Sequence, residues 1–296
     1  MPVSSRAVIF LVALVSGLSS THPTRAGAAV TSVERPEADR SSGSIPAPGR
    51  DGGVQQDFHW SGVVPAGAWV RIKGVHGSIR AEGTSGREVE VTAVRHAGRQ
   101  GSPASVRIET VRGADGVTIC AVYPTPSGSA VPNRCVPGED WAVANQGNDV
   151  EVRFVVRIPR GVHFMGKTTN GAIDARALQA DATVSTVNGD VTASAAGVVE
   201  ASTVNGSIEV TTGTADPGRD LRFTTVNGNI TLQLPAAFRA RVDASLLNGE
   251  ISSAFPLQVR RKRPVGQEAS GYIGSGGRKL HLETVNGSIR IRRAGR

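Results

Sequence analysis

Aromatic side chains are scarce in this chain, at 4% of 296 residues. Large rings are therefore too few to fill a thick globular core, and a thin layered core of Val, Ile, Leu and Ala is expected. Cysteine occurs twice, which rules out a framework of several disulfides or a four-cysteine metal site. A long apolar run is also missing. The most apolar stretch, Ala7 to Leu18, has about 12 residues, whereas a membrane-spanning helix needs roughly 20. No H-E-x-x-H, G-x-S-x-G or phosphate-cradling G-x-x-x-x-G-K-[ST] pattern occurs. The histidines lie scattered at 22, 59, 76, 96, 163 and 281. No catalytic residue, cofactor or metal ligand is assigned, and the chain is not expected to be an enzyme.

What is present begins with an export signal. Arg6 precedes the apolar run and Ala26-Gly27-Ala28 follows it, so residues 1–28 read as a signal peptide that leaves no transmembrane segment in the mature chain. The expected destination is the periplasm, the cell surface or the medium. Residues 29–53, rich in Ser, Pro, Gly and charge, have little to bury and read as a flexible linker. The remainder, 54–296, is expected to form one continuous domain, with an N-terminal β portion (54–160) and a repeat portion (161–296). In an oxidising compartment Cys120 and Cys135 are expected to pair. Closing that loop of about 15 residues contributes roughly 3 kcal/mol in the chain-entropy model.

The formal net charge is +8. Basic residues cluster late, at Arg260, Arg261, Lys262 and Arg263 and again at Arg290, Arg292 and Arg293. Such clusters attract polyanions in a salt-dependent way. For an exported protein the candidates are acidic polysaccharide, lipopolysaccharide or anionic lipid, and nucleic acid is not expected.

The strongest signal is a repeat. Asn-Gly recurs at Asn170-Gly171, Asn188-Gly189, Asn205-Gly206, Asn227-Gly228, Asn248-Gly249 and Asn286-Gly287, mostly within the word T-V-N-G-x-I, and His76 replaces the asparagine in an earlier copy. The spacings are 18, 17, 22, 21 and 38, so the last interval reads as two periods with one signature lost. Threonine, or Leu246 in one copy, sits two before each asparagine, mostly apolar residues sit four and six before it and three and five after it, and mostly polar residues lie between. That alternation marks strands with one buried face. Asn-Gly suits a two-residue turn because both residues tolerate positive φ.

The expected fold is therefore all-β, a parallel β-solenoid with coils of about 20 residues cornered by Asn-Gly turns. Stacking at about 4.8 Å would set like residues on like and let asparagine side chains form a ladder. The alternative is an antiparallel β-meander or sandwich with Asn-Gly at hairpin tips. Two carboxylates close in this frame, Asp190 and Glu250, would lie three coils or about 14 Å apart, too far for a glycosidase pair at about 5 to 9.5 Å.

The repeated T-V-N-G-S-I, with "VEVRFVVRIPRGV" before the array and "GYIGSGGRKLHLETVNGSIRIRR" at its end, resembles the exported bacterial DUF4097 family, which carries an adhesin label. The resemblance spans roughly Phe58 to Arg293. It implies a β-solenoid-like fold and no established enzymatic activity, and it brings no catalytic or binding residues. The expected function is that of a non-enzymatic adhesin-like or scaffold protein whose partner is an envelope protein or polysaccharide. Polyanion binding through the late basic residues is the alternative, and polysaccharide cleavage is a more distant one.

Overall fold

The computed structural model describes residues 55–262 and 264–295. The expected signal peptide (1–28) and linker (29–53) lie outside the described residues, as does Arg263. Among the described residues twenty-one strands follow one another: β1 (Gln55–Gly62), β2 (Trp69–Lys73), β3 (Ile79–Gly83), β4 (Val89–His96), β5 (Arg107–Gly113), β6 (Gly116–Val122), β7 (Glu151–Ile158), β8 (His163–Lys167), β9 (Ile173–Leu178), β10 (Ala182–Ser185), β11 (Val191–Ala195), β12 (Val199–Ser202), β13 (Ile208–Thr212), β14 (Leu221–Thr224), β15 (Ile230–Leu234), β16 (Ala240–Asn248), β17 (Ile251–Ser253), β18 (Gln258–Arg261), β19 (Gln267–Ile273), β20 (Lys279–Asn286) and β21 (Ile289–Arg293). Helix among the described residues is limited to a single turn at Pro103–Ser105.

The strands build two sheets. One has ten strands in the order β1-β4-β7-β3-β9-β11-β13-β15-β21-β17, and the other eleven in the order β18-β19-β16-β20-β14-β12-β10-β8-β2-β6-β5. From β2 and β3 through β20 and β21 the pairing is parallel. Antiparallel pairing is confined to the two ends, at β1-β4, β4-β7 and β5-β6 on one side and β16-β19 and β18-β19 on the other. The fold is thus all-β with two large, mostly parallel sheets, and the antiparallel alternative survives only at the edges.

Each Asn-Gly carries the chain from the eleven-stranded sheet to the ten-stranded one. Three residues beyond the corner, Ile79, Ile173, Val191, Ile208, Ile230, Ile289 and Ile251 stand in register and are buried. Across from them runs Gly166, Val184, Ala201, Phe223, Leu282 and Ala244. Small residues beside large ones let this thin core interdigitate. The alternation read from the sequence is the cause: every second side chain points between the sheets.

Two expectations need correction. The 38-residue interval hides no lost signature. The order of stacking at the corner is His76, Asn170, Asn188, Asn205, Asn227, Asn286 and then Asn248, so the last repeat in the chain lies between the two preceding it. Residues between Asn248 and Asn286 form β17 and the antiparallel pair β18-β19 before β20 returns to the gap. Asp190 and Glu250 are consequently four repeats apart rather than three.

The corner is also not a turn with two positive-φ residues. Ala177 is the one non-glycine residue with positive φ among those described, so none of the asparagines is left-handed. Glycine is required for a different reason. A Cβ on Gly206 would run into the carbonyl of Gly189, and one on Gly228 into the carbonyl of Gly206. Stacked backbones approach so closely here that no side chain fits.

Candidate functional site

The repeated letters prove to be scaffold. Asn188 Nδ2 donates to Asn170 Oδ1 at 2.7 Å, and the pattern continues from Asn205 to Asn188, Asn227 to Asn205, Asn286 to Asn227 and Asn248 to Asn286, all within 2.8 Å. The threonine two before four of the asparagines is buried and donates to the glycine carbonyl of the repeat stacked before it: Thr186 to Gly171, Thr203 to Gly189, Thr225 to Gly206 and Thr284 to Gly228, at 2.9 to 3.0 Å. A third ladder was not legible in the sequence. Asp190 accepts the Ser207 N–H at 2.8 Å, Ser207 Oγ accepts that of Asn229 at 3.2 Å, and Asn229 Oδ1 accepts that of Ser288 at 2.8 Å. These residues vary in type because any acceptor serves, and that variation disguised their common task.

The asparagine ladder ends on His76. Asn170 Nδ2 lies 3.1 Å from its Nδ1, Asn145 Nδ2 lies 2.9 Å from its Nε2, and the Tyr123 ring meets it edge-on at 5.8 Å. Tyr123 donates its hydroxyl to the Val150 carbonyl, and burial raises its pKa to about 12. Beside His76 opens a groove of about 730 Å³ lined by His96, Arg99, Asp149, Glu151, Arg153 and Asn170 among others. Two of its carboxylates are already engaged. Asp149 accepts the backbone N–H groups of Gln100 and Arg99 at 2.9 and 2.7 Å, which hold its carboxyl below the usual range, and Glu151 pairs with Arg153 at 2.9 Å.

Cys120 and Cys135 are bonded, with Cα atoms 5.5 Å apart. The segment that follows Cys135 lies over β2, where Arg71 and Lys73, outward by the alternation rule, are 3% and 0% exposed. Lys73 Nζ donates to the carbonyls of Val136 and Asp140 at 3.0 and 2.7 Å and lies 5.9 Å from the Trp141 ring centroid. Burial, with Lys167 and Arg71 nearby, lowers its pKa to about 8. Sequence reasoning missed Lys73 because nothing local distinguishes it from an exposed strand lysine. Trp141, six residues beyond Cys135, was the available hint.

The late basic residues fall on two sheets. Arg260 and Arg261 are exposed on edge strand β18, followed by exposed Lys262. Arg290, Arg292 and Arg293 lie on β21 of the other sheet, with Arg293 over the Phe255 ring at 5.4 Å. Residues 239–296 contain 12 Lys and Arg against four Asp and Glu, so they carry the whole +8, and the preceding part balances at 21 against 21. Charged residues on an edge strand also blunt pairing with other chains, which gives β18 a structural reason for its arginines.

Fold and corner define a class: an all-β protein of two mostly parallel sheets, stacked on Asn-Gly corners. Residues 167–292 match the model of the Toastrack DUF4097 family, which coincides with the array and not with the whole stretch on which the resemblance was read. No curated protein matches the chain. Among solved structures, one described as a "putative cell adhesion protein" from Clostridium sporogenes ATCC 15579 is similar over 80% of this chain and 100% of that one, with 11% identity and a TM-score of 0.41. Another, described as a "putative adhesin" from Bacteroides fragilis NCTC 9343, covers 80% and 97% respectively, with 11% identity and a TM-score of 0.31. No helix among the described residues is long and apolar enough to cross a membrane.

Proposed function

We propose that this is a non-enzymatic, exported interaction protein, adhesin-like or scaffolding, in which each repeat makes one coil of a β-solenoid and the outward faces meet a partner at the cell envelope. The observation that carries the reading is how the repeat spends its residues. Threonine, asparagine, glycine and isoleucine are consumed by the stack. Variation is left to outward rows such as Arg80, Asp174, Thr192, Glu209, Thr231, Arg290 and Ser252, aligned strand by strand across one sheet. Rows of fixed spacing suit an extended partner, polymer or protein. The disulfide supports export, since such bonds persist in oxidising compartments. Pull-down from envelope extracts with the protein as bait, repeated with Thr192, Glu209 and Thr231 replaced by lysine, tests it. Capture of the same partner by both proteins would overturn the assignment to this face.

A second reading rests on the charge imbalance. Because β16 to β21 stack together, the net positive charge collects at one end of the array. Arg260, Arg261, Lys262, Arg290 and Arg292 form no ion pair among the described residues. A polyanion of the acidic polysaccharide, lipopolysaccharide or anionic lipid kind would dock there. Reversing Arg260, Arg261 and Lys262 to glutamate should release the protein from heparin at lower salt. Unchanged elution would dismiss this reading.

A further inference from the structure

Asn-Gly is the dipeptide most prone to spontaneous deamidation, because glycine puts no side chain in the way of its own nitrogen attacking the asparagine side chain. Six exposed or half-buried copies would make an exported protein chemically fragile unless the fold restrained them. It restrains five. In each of these, the glycine N–H donates to the next repeat's asparagine carbonyl: Gly171 to Asn188, Gly189 to Asn205, Gly206 to Asn227, Gly228 to Asn286 and Gly287 to Asn248, at 2.8 to 2.9 Å. In each, the asparagine Oδ1 also accepts the next asparagine's Nδ2.

Asn248 and Gly249 differ because their repeat is the last in the stack. Among the described residues nothing accepts the Gly249 N–H, and nothing donates to Asn248 Oδ1. The one ladder bond left to Asn248 is from its Nδ2 to Asn286. Gly249 and Asn248 are both exposed, so water reaches the reacting atoms. The neighbouring amide of Ile251 is capped by Gln267 Oε1 at 3.0 Å, so the end of the array is finished by a side chain two residues beyond Gly249 but not at Gly249 itself.

We propose that Asn248-Gly249 is a structure-selected modification site at which the folded protein deamidates first. The Gly249 nitrogen forms a bond to Asn248 Cγ, the bond from Cγ to Nδ2 breaks, and ammonia leaves with the proton that the Gly249 nitrogen gives up. The resulting succinimide takes up water at either carbonyl and opens to aspartate or isoaspartate. No oxidant, metal or enzyme is needed. The product places a carboxylate within the positively charged end and removes the amide donor that Asn286 Oδ1 accepts. The modification thus changes the charge of that end with the age of the molecule, and it stands whether or not a polyanion binds there.

The test uses the full chain, incubated folded at mildly alkaline pH and sampled by peptide mapping with mass spectrometry. Asn248 should convert roughly tenfold faster than any of the other five, since each of those must first break a backbone hydrogen bond. In denaturant the six rates should converge. Equal rates in the folded protein, or another asparagine leading, would overturn the proposal. So would Asn248 leading by the same margin in denaturant, because local sequence would then account for it. Asn248→Gln should remove the early acidic species on ion exchange, and Asn248→Asp should elute where that species does.

Discussion

The middle of the array and its two ends obey different rules. Between Asn188 and Asn205 the core is small, with Val191, Ala193, Ala195, Val199 and Ala201 buried, and the backbone repeats itself in register. At the ends the buried residues include Tyr123, Phe154 and Phe238, strands turn antiparallel, and side chains finish what another repeat would have bonded. Small residues bury little apolar area, so the middle leans on its ladders and on the fit of backbone against backbone. A repeat can propagate but cannot end itself, because its last copy leaves one row of polar groups without partners. Each end solves this with irregular chain: His76, Tyr123 and Asn145 with the disulfide loop at one, and Gln267 with the β18-β19 pair at the other.

The largest test of this contrast is steric. Gly206→Val in the middle should cost about 3 kcal/mol or more, since the stacked backbone must move apart. Gly206→Asn separates the two explanations for glycine. Asparagine tolerates a left-handed corner, so a near-normal urea midpoint would restore the turn explanation, whereas a loss like that of valine supports close approach. At the N-terminal end, replacing Cys120 and Cys135 with alanine should lower stability by roughly 3 kcal/mol while leaving the middle's protection from hydrogen exchange at global exchange values. Comparable loss of protection in β11 and β13 would show that the ends and middle do not behave separately.

The same end carries a pH signature. Lys73 titrates near 8 in the fold against 10.5 normally, so between those values the unfolded chain binds more protons and stability rises with pH. The gain should reach about 1 to 3 kcal/mol. Above pH 10 the trend reverses through Tyr123, whose unfolded form ionises first, at its ordinary 10.0 against about 12 in the fold. Urea melts at pH 7.5 and 9.5 should show the rise in the native protein and not in Lys73→Met. A matching slope in both proteins would remove Lys73 as its source. The smallest effect is in the amide ladder. Asn205→Ala loses two side-chain bonds and Asn248→Ala one, so the first should cost about 1 to 2 kcal/mol and the second about half. Equal losses would mean the ladder contributes no more inside the stack than at its end.

Much of the array was legible because its physics is local and periodic. Alternation fixed the buried face of β10 to β15, and six Asn-Gly copies announced a stack of like on like. The spacing of 38 misled because stacking order need not follow chain order, and a sequence read linearly carries no sign of a strand returning to an earlier gap. The requirement for glycine was not legible: close approach of two backbones involves residues about 20 apart, beyond any dipeptide preference. At the candidate surfaces, the basic residues were visible as clusters, but their division between two sheets depends on pairing. Lys73 was hidden because residues 136–141, more than sixty positions away, bury an otherwise ordinary strand position.

The placement of β20 and β21 between the repeats of Asn227 and Asn248 has a consequence for how the protein is made. A stack whose order matched its chain could zip up repeat by repeat as it emerged from synthesis or a translocation pore, each new turn landing on a finished one. Here that vectorial process runs only as far as Leu234. β16 and β17 have their parallel neighbours, β20 and β21, still to come, and β16 must wait until residues beyond Arg278 arrive to slot beneath it. Residues 279–293 are therefore the keystone of this end, since β20 and β21 pair on both sides.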